Sequence, residues 1–256
     1  MLGLIGGEFR LSKTIYFKYP LNSISLLVSY VAIFYGMIGG SYLASGNPIL
    51  GHNLNALVVG YSLWILIQRT IDEMGLSISQ EADNGTLEQI YISNSISKVL
   101  FAKGVVNMIF SSIFILITAA VILFFTGHRI VLDPREIIPI ACALFASLGL
   151  GYAVAGITVY AKRIDNLLQI IQYLFLALLL IPYGNAGIYL RIVSYFVPLA
   201  PMVSVLKQLT NGSAMVSYND LLVLPLINAL FWFALGYLVF SFCNVQVQKK
   251  GTIGHY

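Results

Sequence analysis

The sequence predicts an all-α membrane protein with six transmembrane helices. Composition is the first reason: 9% of the 256 residues are charged and 59% are hydrophobic, where a soluble domain carries about a quarter charged residues. Too little polar surface exists to coat a water-facing globule. Length is the second reason. A spanning helix takes roughly 20 apolar residues, so the chain has room for about six spans with short joints and no separate soluble domain. Residues 1–256 therefore read as a single transmembrane domain.

Residues 1–19 are mixed. Leu2, Ile5, Phe9 and Tyr16 fall near one face at helical spacing, with Arg10 and Lys18 away from it, which predicts a helix lying in the membrane interface. Leu4 and Leu11 sit opposite and blur that face. The stretch lacks a clean apolar core with a small-residue cleavage site, so no cleavable leader is expected. Pro20 marks the turn into the first span, about 21–43, which carries Gly36-Met37-Ile38-Gly39-Gly40, a pattern that permits close helix contact. After a turn at Ser45-Gly46-Asn47-Pro48, the second span runs about 53–71 and ends among Arg69, Asp72 and Glu73.

The third span, about 104–125, and the fourth, about 137–161, carry no charge. In the fourth, Ser147, Gly151 and Ala155 repeat every four residues and predict a close-packing face. Lys162-Arg163-Ile164-Asp165 is a charged turn, and the fifth span occupies about 166–182. Residues 183–219 are then broken by Gly184, Gly187, Pro198, Pro201 and Gly212. Neither half is long enough to cross, so two short helices entering and leaving the membrane are expected, a form tolerated where protein covers the backbone. The last span is about 221–243.

With an even number of spans the two ends share a side. Arg10, Lys13, Lys18, Arg69, Lys98, Lys103, Lys162, Arg163, Lys249 and Lys250 fall on that side, against Arg129, Arg135, Arg191 and Lys207 on the other. Basic joints stay in the cytoplasm, so both termini and the joint after span two are expected there, in the cell membrane. The net charge of +4 follows from the same bias and needs no nucleic-acid partner.

Several chemistries have no motif here. There is no GxxxxGK[ST] phosphate loop, HExxH, cysteine–histidine metal spacing or GxSxG elbow. His52, His128 and His255 fall in joints or the tail. Cys142 and Cys243 lie inside apolar runs and read as buried small hydrophobes. The expected spans hold no acid away from their ends, which argues against a proton- or sodium-coupled carrier and against an intramembrane enzyme. Any transport draws its energy from another chain.

The most polar stretch is Glu81-Ala82-Asp83-Asn84-Gly85-Thr86-Leu87-Glu88-Gln89. Thr86 to Gln89 matches a capping box, Glu88 suits the first turn of a helix, and Gly85 permits a sharp bend. With a short helix over 78–83, the joint reads as helix, turn, helix.

Glu81, Gly85-Thr86-Leu87-Glu88-Gln89-Ile90, Ser93, Ser97-Lys98 and Lys103 together resemble the signature of the ABC-2 type permeases. That pattern is an acid, a Gly-Thr-Leu-Glu core and a lysine where the third span begins; Asn94 stands where it usually has proline. Val197-Pro198-Leu199, Lys207 and Gly212 resemble a second family pattern of Asn-Pro, arginine and glycine, departing from it at Val197 and Lys207. The resemblance implies a half-transporter. Two permease copies, identical or related, would form the pathway, and two separate ATP-binding subunits holding ATP and magnesium would dock on the cytoplasmic side. The joint between spans two and three would carry the coupling helices, through Glu81, Gly85, Thr86, Leu87 and Glu88. The chain itself then holds no cofactor and is no enzyme. Its nearly uncharged spans suit a hydrophobic or amphipathic cargo, such as a drug or lipid-like molecule.

Candidate pathway-lining residues between spans two and five are Asn55, Tyr61, Gln68, Gln169, Gln172 and Tyr173. The same groups can instead bond helix to helix within one copy. A second reading, from another class, is a membrane scaffold whose acidic joint recruits a cytoplasmic partner without transport.

Overall fold

Polar groups on a membrane helix turn toward protein rather than lipid, and the second expected span carries Asn55, Gln68 and Arg69 among its apolar residues. In the computed structural model, which describes residues 1–46, 52–86, 96–127, 133–161, 164–181, 183, 188–212 and 216–250, it lies at the centre. In order, the helices are α1 (Leu2–Lys18), α2 (Pro20–Ser45), α3 (His52–Ile71), α4 (Ser77–Asp83), α5 (Ile96–Thr126), α6 (Ile137–Ala161), α7 (Asp165–Leu180), α8 (Ile188–Phe196), α9 (Ala200–Thr210) and α10 (Leu224–Lys250). No strand occurs among the described residues. Among the described residues five helical stretches are long and apolar enough to cross a membrane: Pro20–Leu43, Leu54–Glu81, Ile96–Thr126, Pro134–Ala161 and Asn219–Lys249. At 16 residues, α7 is about 24 Å long, short of the roughly 30 Å of a hydrocarbon core.

α3 packs against α5, α6, α7 and α9. Its Tyr61, Trp64, Ile65, Ile67 and Ile71 are almost wholly buried. Tyr30 of α2 meets Trp64 edge-on at 6.4 Å, and Phe34 lies tilted against Tyr61 at 5.3 Å. Trp64 donates its indole N–H to the Gln172 carbonyl of α7 at 2.7 Å.

The closest helix pair is α6 with α10. A Cβ on Gly149 would fall 2.3 Å from the Trp232 carbonyl oxygen, and one on Gly236 would fall 1.8 Å from the Gly149 oxygen. Gly156 lies equally tight against Phe240, 2.6 Å from its Cα. Backbone therefore touches backbone across this pair, and only hydrogen fits between. The expected small-residue face Ser147–Gly151–Ala155 is also buried, on the other side of α6. There a Cβ on Gly151 would meet the sulfur of Met74 at 2.2 Å. α6 is small on two faces, and each face admits a neighbour.

Three boundaries and one face differ from expectation. α10, expected to end near residue 243, stays helical to Lys250. α3 does not stop near Arg69 but continues through a π-helical turn, Asp72–Leu76, into α4. Continuity wins because Met74 is fully buried, filling a notch beside Gly104 of α5 and Gly151 of α6. α5 begins eight residues earlier than the expected span, at Ile96, so Lys98 and Lys103 are helical. α1 forms as expected, but Leu2 is 87% exposed. The half-buried residues are Leu4, Ile5, Glu8, Ser12 and Tyr16, so Leu4, expected opposite, joins the covered side. Rings hold it: Phe9 and Tyr16 lie 5.4 and 4.9 Å from Phe110 of α5.

The broken segment is two short helices, α8 and α9, separated at Val197–Leu199. Leu199 sits in the left-handed region at φ 64°, which costs a leucine about 1–2 kcal/mol. The break is stitched to α10. Asn228 donates to the carbonyls of Tyr195 at 2.8 Å and Val197 at 3.1 Å, and accepts from the Leu199 N–H at 3.3 Å. Trp232 donates to the Phe196 carbonyl at 3.1 Å. Backbone groups freed by ending a helix inside an apolar surround need such partners.

Candidate functional site

The candidate site is the end of the α3–α4 rod and the elements that grip it. Arg69, expected at a span terminus, is 5% exposed. A buried guanidinium is costly unless its donors are met. Here it donates to the Tyr16 hydroxyl of α1, to Ser111 Oγ of α5 at 3.3 Å and to Glu73 Oε1 at 3.4 Å. Its charge also lies 4.9 Å from the Phe114 ring and 5.7 Å from the Tyr16 ring. One side chain thus joins α1, α3 and α5.

On the opposite flank, Gln172 of α7 donates to Asp72 Oδ1 at 2.7 Å. The same Gln172 carbonyl takes the Trp64 N–H. The π-helical turn is therefore held from both sides, through Asp72 to α7 and through Met74 to α5 and α6.

Beyond this turn α4 ends in an ordered stop. Gly85 has φ 69°, the left-handed conformation that glycine adopts without Cβ cost. The Thr86 N–H bonds the Glu81 carbonyl at 2.9 Å and the Asn84 N–H bonds the Gln80 carbonyl at 2.9 Å. The six-residue return from Thr86 to Glu81 is a Schellman-type ending. The Thr86 hydroxyl donates to both the carbonyl and the carboxylate of Glu81. Glu81 Oε1 in turn meets Lys103 Nζ of α5 at 3.5 Å. A half-exposed pair of this kind contributes about 0–1 kcal/mol, so its role is to orient.

Three of the expected coupling residues, Glu81, Gly85 and Thr86, therefore act together as one helix stop. Within the described residues Thr86 closes the helix before it. Leu87 and Glu88, and the capping box beyond Thr86, lie outside the described residues.

Between α1, α4 and α5 lies a cleft of about 230 Å³ whose polar lining includes Glu8, Glu73, Gln80, Glu81, Lys103 and Asn107. Burial pushes the Glu8 carboxyl above the usual carboxylate range. Lys103 pulls it down, and Glu81 and Glu73 add to the rise. Among the described residues no three metal-ligating side chains converge.

The candidate pathway residues separate into two groups. Asn55 donates to the Thr210 carbonyl of α9 at 3.3 Å, and Tyr61 to the Tyr30 carbonyl of α2 at 2.6 Å. Gln172 is committed as described. Gln68 has a buried Oε1 with no partner among the described residues. These four face the interior of one chain. Gln169 and Tyr173 lie instead on the open side of α7, Tyr173 55% exposed although its ring is 6.3 Å from Trp64. Lys207, at the second resemblance, donates to the Leu179 carbonyl at 3.4 Å and has no carboxylate within ion-pair reach among the described residues.

Sequence reasoning passed over Asn228 and the Tyr16–Arg69 pair. A signal existed for each: a lone amide inside an apolar run, and an arginine at a span end whose five donors need more acceptors than the neighbouring Glu73 supplies.

Compared with models of known protein families the chain matches none, and no curated protein is similar enough to count as a relative.

Proposed function

We propose that this chain is the membrane-spanning permease subunit of an ABC exporter of the ABC-2 type. One observation supports it above the rest. The helix at the centre of the bundle leaves it without interruption and ends in a capped, acidic tip at Glu81–Thr86. A push on that tip is delivered to the α3 core through a rod whose sides are held by Arg69, Asp72 and Met74. In this reading two separate ATPase subunits, with ATP and magnesium, dock at the tip in the cytoplasm. Six crossings are made in the cell membrane, with α7 as the fifth, both termini cytoplasmic and α8–α9 dipping in from outside. A second copy packs against the open side of α7, where Asn166, Gln169 and Tyr173 line one stripe, and the hydrophobic or amphipathic cargo moves between copies.

Purification of the tagged chain from its native membrane tests the reading. A stoichiometric soluble ATPase is expected to accompany it, with hydrolysis altered by Glu81→Lys in chain that remains inserted. Absence of any ATPase, where a control transporter keeps its own, would favour a scaffold that recruits some other partner. Normal coupling in the Glu81→Lys variant would remove the tip from the mechanism.

A further inference from the structure

Asparagine followed by glycine occurs twice in the chain, at Asn84-Gly85 and at Asn211-Gly212. Such a pair is chemically reactive wherever it has room. The side-chain amide carbon lies within reach of the next backbone nitrogen, and a glycine there has no Cβ to block the approach. The two pairs are locally alike. Each follows a helix, and each glycine is left-handed, at φ 69° and φ 76°. A Cβ on either glycine would meet nothing within 4 Å.

Their surroundings differ. Asn211 is half-buried. Its Oδ1 accepts from Asn55 Nδ2 at 3.4 Å, and the Gly212 N–H donates to the Leu209 carbonyl at 2.9 Å. The carbon to be attacked and the attacking nitrogen are both tied down. The end of α9 behind them is anchored by Leu206, Leu209 and Thr210, all buried. Asn84 is exposed, on the polar cleft between α1, α4 and α5. The helix behind it, α4, has only seven residues. Exposed ends of short helices open at a free-energy cost far below that of global unfolding.

We propose that Asn84 is a site of spontaneous modification, an amide-to-carboxylate conversion in the tip of the α3–α4 rod, and that Asn211 is protected from the same change. When the end of α4 opens, the Gly85 backbone nitrogen gives its proton to water and attacks the Asn84 side-chain carbon. A carbon–nitrogen bond forms, the bond to the side-chain nitrogen breaks, and that nitrogen takes up a proton and leaves as ammonia. One water then opens the cyclic imide. Opening at the side-chain carbonyl gives aspartate. Opening at the backbone carbonyl gives isoaspartate, whose main chain runs through the former side chain.

Either product disturbs the helix stop. A new carboxylate at the C-terminus of α4 meets the negative end of the helix dipole and shares the cleft with Glu81, which already holds Lys103. Isoaspartate also inserts a backbone carbon inside the turn closed by the Thr86 N–H on the Glu81 carbonyl. The conversion itself needs no ATPase, and only its consequence for coupling rests on the exporter reading. An absent ATPase would leave this site standing, and an inert Asn84 would leave the coupling tip standing.

The test incubates the purified full chain in non-ionic detergent at mildly alkaline pH and follows both asparagines by peptide mass mapping. Asn84 is expected to convert about tenfold faster than Asn211, and faster still as pH rises, because the deprotonated nitrogen attacks. Thr86→Val deletes the hydroxyl bonds to Glu81 and should speed Asn84 alone. Asn55→Ala removes the tie on Asn211 and should speed Asn211 alone. Equal rates in the wild-type chain, faster loss at Asn211, or conversion of Asn84 only in denaturant would overturn the proposal. A Thr86→Val chain that ages like wild type would overturn the part given to the end of α4.

Discussion

Two glycine-bearing helices in this chain look alike in sequence and behave oppositely. α2 carries Gly36, Gly39 and Gly40, and a Cβ on any of them would meet nothing within 4 Å. α6 carries Gly149 and Gly156, and a Cβ on either would collide with the backbone of α10. A small-residue pattern permits close approach. It does not create a partner. What separates the two is the facing helix: α10 answers with Gly236 at the crossing point, while α2 turns its glycines outward and meets the bundle through Tyr30 and Phe34. The open stripe on α2 is one face a second copy would find free.

The comparison breaks most sharply at the crossing point. Gly236→Val should cost on the order of 4 kcal/mol, because overpacking here pushes on backbone that has no rotamer to yield. Thermal unfolding in detergent should show a large loss, and a wild-type melting curve would mean that α6 and α10 do not touch. Next comes the clasp on the same helix. Asn228→Leu keeps the side-chain volume but orphans two carbonyls and the Leu199 N–H, and should cost about 2–3 kcal/mol. Its mark should be local, with faster proteolysis between α8 and α9 before global unfolding. An unchanged cleavage rate would refute the clasp.

A smaller effect concerns α1, which like α2 sits at the margin. The Glu8 carboxyl is raised by burial. A raised folded-state value means that the protonated form favours docking. The contribution is therefore complete below the ordinary carboxylate range and is lost as pH rises through the raised value. A spin label at Lys13→Cys should grow more mobile as pH rises, and Glu8→Gln should abolish that trend; the native cysteines are buried and do not interfere. The smallest expected effect completes the contrast: Gly36→Val with Gly40→Val should move the stability of one chain by less than about 0.5 kcal/mol. A large loss there would show that α2 already has a partner in the membrane.

Much of the architecture was readable before any coordinates. Apolar runs near 20 residues, broken by Pro20, Lys162-Arg163 and the proline–glycine string of 183–219, place α2, α6 and α7 within a few residues, since hydrocarbon burial and breaker residues act locally. Gly85 announced its own turn by the same logic. What failed was where a helix ends when charge begins. Arg69, Asp72 and Glu73 read as a membrane boundary, yet α3 runs past them. Tyr16, Ser111 and Gln172 lie far away in sequence and satisfy those charges in space. The polar residues proposed for the pathway were ambiguous for the same reason. Asn55 and Tyr61 turn out to bond within the chain, while Gln169 and Tyr173 remain on the open side of α7.

The sequence by itself therefore determined the class and the approximate places of the apolar runs, because each depends on residues near one another in the chain. Tertiary structure alone decided which glycines are occupied, which charges are neutralised and which amide holds a broken helix. Those outcomes depend on a second surface arriving opposite the first. Gly149 and Gly36 are the same residue type in the same apolar setting, and only α10 distinguishes them.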